Sequence, residues 1–156
     1  KGYYFSAYVI ASLTVRILAG RLSDLHGRVY VLRFAIPILI FAAVLIGTAD
    51  SQFQFYLASV ILGLSLGMTS PTIYAWTIDL SHEKFRGRGI ATMYIFLEAG
   101  IGIGALINGY LFDLTNDGKL IPFLLCALLS TGAFIYLMKY KKDVLEKGFP
   151  KAAIEN

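Results

Sequence analysis

Three groups of residues in this chain carry groups that can do chemistry, two inside apolar runs and one between them. Glu98 lies eight residues into an apolar run that begins at Ile90, roughly 12 Å along a helix axis. An acid at the centre of such a run costs about 2.5–3.5 kcal/mol on insertion scales, so it faces a cavity or a partner rather than lipid. Helical spacing places Gly102, Ala105 and Gly109 on the same face, all of them small. Two chemistries fit Glu98: a proton-binding or cation-binding site, or a structural partner for a basic residue or helix end. Arg16 is the second candidate, sharing a face with Tyr8, Ser12 and Gly20. It can meet an anionic substrate group, pair with Glu98, or snorkel to the interface. The third group is Gly20, Asp24, Gly27 and Arg28, in a charged loop expected at about 20–28 between two apolar runs. A carboxylate there can hold a helix N-terminus or an arginine in one conformation and release it in another. Its glycines let backbones approach; the plainer alternative is a solvated turn.

The elements that must position these groups are membrane spans. Of 156 residues, 57% are hydrophobic and only 15% charged, with mean hydropathy +0.67. A water-soluble domain carries about 25% charged residues. The charges here cluster in short intervals and leave apolar runs of roughly 18 residues or more, against the ~20 needed to cross a hydrocarbon core. Five spans are expected, at about 2–19, 31–48, 53–78, 90–112 and 120–138. Helices are expected rather than strands, because the runs are long and lack the alternation of a membrane barrel.

The segments between the spans alternate in charge. Arg21, Arg28 and Arg33 flank the first junction, Lys84, Arg86 and Arg88 the third, and Lys139, Lys141, Lys142, Lys147 and Lys151 the end. The opposite junctions hold Lys119 alone, so eleven basic residues lie on one side against one. The positive-inside bias places the first and third junctions and the 140–156 tail in the cytoplasm, with Lys1 outside. The same reading explains the net charge of +4 without nucleic acid. The chain starts at Lys1 with no basic n-region or cleavage site, and is read as part of a longer protein.

Proline and glycine shape the spans. Pro71 should free a backbone carbonyl and bend the third, with Thr69, Ser70 or a neighbouring helix able to satisfy the freed group. Pro37 can do the same in the second. Ser59, Gly63 and Gly67 recur every four residues along one face, which permits close helix contact.

Three features together resemble one family. The segment after the first span is similar to motif A of the major facilitator superfamily, approximately G-x-L-a-D-r-x-G-r-k. Gly20, Leu22, Asp24, Gly27 and Arg28 match, and Ser23 is an acceptable small residue. Leu25 and Val29 stand where the family usually has basic residues. Gly63-x-x-x-Gly67-x-x-x-Pro71, followed by Arg86-Gly87-Arg88-Gly89-Ile90-Ala91, resembles the family's fourth or tenth helix and the loop after it. The stretch from Glu98 to Gly104 and on to Asn108-Gly109 resembles its fifth or eleventh.

The resemblance covers residues from about 3 to 140. It implies an all-α membrane protein, with residues 1–139 forming five helices of a six-helix half-bundle. The C-terminal half is favoured, the spans being helices eight to twelve; the N-terminal half is the alternative. In the family, the motif's acid helps latch the cytoplasmic ends of the two halves together, a role that carries over to Asp24.

The implied function is secondary active transport of a small organic molecule by alternating access, driven by protons, with efflux the specific expectation. The implied setting is a plasma membrane, with lipid, substrate, protons and a missing N-terminal half as partners. A non-transporting sensor, assembly partner or inactive remnant is the rival.

Other chemistries find no support in the residues. Gly100-x-Gly102-x-x-Ala105 matches a dinucleotide fingerprint only superficially, since no strand precedes it. His26 and His82 lie apart without metal-ligand spacing, and Cys126 has no intrachain partner. No phosphate loop and no nucleophile–base pair is present, so no enzyme, cofactor or metal is expected. Tyr110, Phe112 and Trp76 are expected in the interfacial aromatic belt or in packing.

Overall fold

A computed structural model describes residues 2–114 and 120–147. Those residues form five long helices, α1 (Gly2–His26), α2 (Arg28–Gly47), α3 (Gln52–Leu80), α4 (Arg86–Leu114) and α5 (Leu120–Lys147), with a short 3-10 turn at Glu83–Phe85. Each helix is long and apolar enough to cross a membrane. The expected fourth junction around Lys119 and the end of the tail lie outside the described residues.

α3 and α4 overrun their apolar runs at both ends and α1, α2 and α5 at one, because hydropathy marks the membrane and not the end of hydrogen bonding. The largest difference concerns the segment expected to be a loop. Residues 20–26 continue α1 as helix, and the chain breaks only at Gly27, whose φ is 91°. The overrun also lifts charged groups clear of lipid. At 29 residues, α3 is about 44 Å long against a hydrocarbon core of ~30 Å.

Small residues make the bundle core. Ala19, Ala35, Ala42, Ala43, Ala58, Ser59 and Ser65 are buried, while Tyr3, Ile17, Phe53 and Leu106 are 69–80% exposed. A soluble protein would invert that arrangement. With lipid as the solvent, apolar bulk faces outward and small residues let backbones pack closely.

The α1–α3 seam shows this at its tightest. A Cβ on Gly67 would stand 2.6 Å from the Ser12 carbonyl oxygen and 2.7 Å from Val15 Cγ1. A Cβ on Gly63 would collide with the Tyr8 carbonyl oxygen. The small face expected at Ser59, Gly63 and Gly67 is therefore the surface on which α1 lies.

Polar ties complete the packing. Ser65 Oγ donates to the Ala35 carbonyl at 2.8 Å, joining α3 to α2 inside the bundle. Gly47 packs against Phe123, drawing α2 to α5, and Trp76 meets Tyr140 edge-on at 5.4 Å between ring centroids. Ser51 and Gln54 start α3 with a capping box. Both prolines lie inside continuous helices. Near Pro71, Thr69 donates to the Ser65 carbonyl at 2.8 Å and Thr72 to the Met68 carbonyl at 2.7 Å. Neither hydroxyl takes up the Gly67 carbonyl that the proline frees.

One helix stands apart. The most apolar 18-residue window of α4 has none of its residues buried, against 33% for α2 and α3. It is anchored near its start, where Gly89 sits so close to Ser81 that a Cβ would overlap the hydroxyl.

Candidate functional site

The chemistry gathers at the basic end of the bundle, around Arg28. α1 stops at His26 and α2 begins at Arg28, so Gly27 alone reverses the chain. Its φ of 91° with ψ of 155° is a backbone conformation open essentially to glycine only. The Gly27 N–H donates to the Ser23 carbonyl at 3.1 Å, closing the end of α1.

This turn aims the guanidinium of Arg28 across the bundle end. Nε donates to Asp79 Oδ2 at 2.8 Å, and Nη1 donates to Ser23 Oγ at 3.1 Å. Nη1 also pairs with Asp24, one helical turn away in sequence. One cation therefore links two carboxylates, one at the end of α1 and one at the end of α3. The Arg28 side chain is 22% exposed, while those of Asp24 and Asp79 are 67% and 51% exposed. Water and salt reach both carboxylates and weaken both links. Such a contact holds without being hard to break.

The motif residues divide into separate roles. Asp24 and Arg28 meet each other, as a carboxylate awaiting an arginine requires. Gly27 makes the turn. Gly20 lies within α1, and a Cβ there would meet nothing within 4 Å among the described residues. Close backbone approach, expected of the motif glycines, is seen among the described residues at Gly63 and Gly67. At the positions that lack the usual basic residue, Leu25 is 79% exposed and Arg28 alone carries the charge links.

Asp79 was not among the residues singled out from the sequence. A usable signal was present: it is an acid at the end of an apolar run, on the same side of the membrane as the motif's arginine. Its 51-residue separation from Arg28 hid the pairing.

Glu98 and Arg16 are not brought together. Both are exposed, and neither has an ion pair among the described residues. Gly102, Ala105 and Gly109 are exposed along with Glu98, and among the described residues neither glycine has a neighbour within 4 Å of a Cβ position. The small face of α4 thus presents its acid to space that the described helices leave open.

The third junction is locally ordered. His82 Nδ1 accepts from the Lys84 N–H at 3.3 Å, Glu83 lies 3.6 Å from Arg86, and Arg88 covers the Phe85 ring at 5.2 Å. His26 stacks on Tyr30 at 5.2 Å between centroids. Both histidines are thus engaged in local contacts.

Comparison with known proteins places the chain in a family. The sequence model of the Major Facilitator Superfamily matches residues 1–155. Facilitated glucose transporter member 12 of solute carrier family 2, from Xenopus laevis, is 27% identical over 95% of this chain and 26% of its own length. Multidrug resistance protein 2 of Bacillus subtilis is 22% identical over 94% of this chain and 36% of its own length. The 3-(3-hydroxy-phenyl)propionate transporter of Escherichia coli is 24% identical over 69% of this chain and 27% of its own length. The chain spans about a quarter to a third of the length of these relatives. With the family's sequence pattern matched almost from end to end, and its charged motif seated at the turn of a five-helix bundle, this chain belongs to the Major Facilitator Superfamily.

Proposed function

We propose that this chain is one half of a secondary transporter, less one helix, that moves a small organic molecule across the plasma membrane by alternating access. It is the C-terminal half in this account, as helices eight to twelve, working against an N-terminal half of the same protein. The basic end of the bundle and the residues beyond 139 then lie in the cytoplasm, following the positive-inside bias. The observation that carries the reading is the Arg28 bridge to Asp79, a polar tie at the cytoplasmic ends of α2 and α3. Formed, it holds those ends in one arrangement. Broken, it frees them for another, and its exposed carboxylates keep the difference small.

Glu98 is the proton site in this account. Protonated, its side chain is neutral and tolerates apolar surroundings; ionised, it needs water or a cation. A carboxylate that gains its proton from one side and loses it to the other couples transport to a pH gradient. One charge moved through 100 mV is worth about 2.3 kcal/mol, enough for substantial accumulation without ATP. The small residues around Glu98 leave room for a substrate against α4, and Arg16 can meet an anionic group on it. Efflux is the direction we infer. The names of the relatives, a glucose transporter and multidrug resistance proteins among them, support a small organic cargo.

The test uses the complete transporter chain in proteoliposomes with an imposed pH gradient. The panel holds sugars, aromatic acids and lipophilic cationic dyes. Transport of at least one class should follow the gradient and vanish with Glu98→Gln, while the variant inserts normally. Unchanged gradient-driven transport in Glu98→Gln removes Glu98 as the coupling site.

A further inference from the structure

Ser23 is the one partner of Arg28 that is closed off from solvent. The residue is 2% exposed, whereas the side chains of Asp24 and Asp79 are 67% and 51% exposed. It holds the site twice over. Its hydroxyl oxygen accepts from Arg28 Nη1 at 3.1 Å, and its carbonyl accepts from the N–H of Gly27 at 3.1 Å. The same residue therefore ties down the turn and the side chain that the turn aims.

We propose that Ser23 is a positioning residue that keeps the guanidinium of Arg28 on the α1–α2 side when Asp79 moves away. The inference rests on the reading of Arg28 and Asp79 as a latch and adds a division of labour within it. The exposed carboxylates exchange Arg28 for water at little cost. A buried hydroxyl has no water to turn to, so losing its charged donor leaves it without that partner. When the latch opens, Nε is released by Asp79 while Nη1 remains on Ser23 and Asp24. Arg28 then keeps its rotamer and meets Asp79 again on closure. A small apolar residue at this position leaves room for the guanidinium but does not hold it.

The experiment measures labelling of an Ala105→Cys reporter by a membrane-impermeant maleimide from the basic side. It uses the complete chain in an otherwise cysteine-free background that includes Cys126→Ser. Ser23→Ala should raise the labelling rate about threefold, the size expected of one modest hydrogen bond. The same substitution should be silent once Arg28→Met has removed the donor, which a purely structural role of Ser23 would not produce. If Ser23→Ala does not accumulate in the membrane, Ser23→Gly likewise removes the hydroxyl without adding a thiol and should give the same shift.

An equal shift with and without Arg28 overturns the proposal. So does an unchanged rate in Ser23→Ala while Asp79→Asn still raises it, and in that case the latch survives without Ser23. An unchanged rate in Asp79→Asn as well removes the latch and this inference together.

Discussion

Arg28 Nε donates to Asp79 Oδ2 at 2.8 Å, joining the first residue of α2 to the next-to-last residue of α3. Because Nη1 of the same guanidinium serves Asp24 and Ser23, a single residue carries three polar links. Arg28→Gln should therefore lower the apparent melting temperature of the solubilised protein more than Asp24→Asn or Asp79→Asn. Each exposed carboxylate link is worth about 1 kcal/mol or less, and Arg28→Gln also leaves two carboxylates without their shared cation. Equal losses from all three substitutions would show that the links do not converge on Arg28.

The two motif glycines should respond with opposite signs. Gly27→Ala forces a side chain onto a φ of 91° and should cost about 1–3 kcal/mol. Gly20→Ala replaces a helical glycine with open space around it and should gain roughly 0.5–1 kcal/mol. Thermal melts of the two purified variants check both signs. A loss at Gly20 would place another backbone against it.

What could be read from the sequence, and what could not, follows from distance along the chain. Gly63 and Gly67 announce a close helix contact because small residues four apart share a face. Asp24 and Arg28 announce a pair by charge within one short segment, although Gly27 turns the chain between them and they share no helix face. Asp79 announces nothing by spacing, since its partner is 51 residues away and their meeting depends on which helix ends assemble together. The segment at 20–26 reads as a loop because its charges end the apolar run, yet charged residues continue a helix readily once it has left the membrane. Glu98 is conspicuous as an acid in an apolar run, but the helices described here do not supply the group it faces.

The glycine seam gives a sharper contrast. Gly67→Val sets new atoms against the Ser12 backbone and Val15, whose contacts with a Cβ are already 2.6 and 2.7 Å, and must push α1 from α3. Gly102→Ala adds a methyl where none of the described residues lies within 4 Å. Yield of folded protein by size-exclusion chromatography in detergent should collapse for the first and hold for the second. Equal yields would mean that α1 does not lie on Gly67.

Ser65→Ala removes the 2.8 Å bond to the Ala35 carbonyl inside the bundle. Hydrogen bonds between membrane helices average about 0.6 kcal/mol and reach about 1.7. The expected loss lies in that range, and a melting temperature unchanged from the parent protein would deny the bond a role in holding α2 to α3.

The most direct test of the latch exchanges its charges. Asp79→Asn should raise labelling of the Ala105→Cys reporter from the basic side up to about fivefold, the ceiling set by one exposed ion pair. Combining Arg28→Asp with Asp79→Arg leaves one guanidinium facing two carboxylates, at positions 24 and 28. That double variant should return the rate to within about twofold of the parent. Labelling rates that stay the same across all three proteins would contradict the latch.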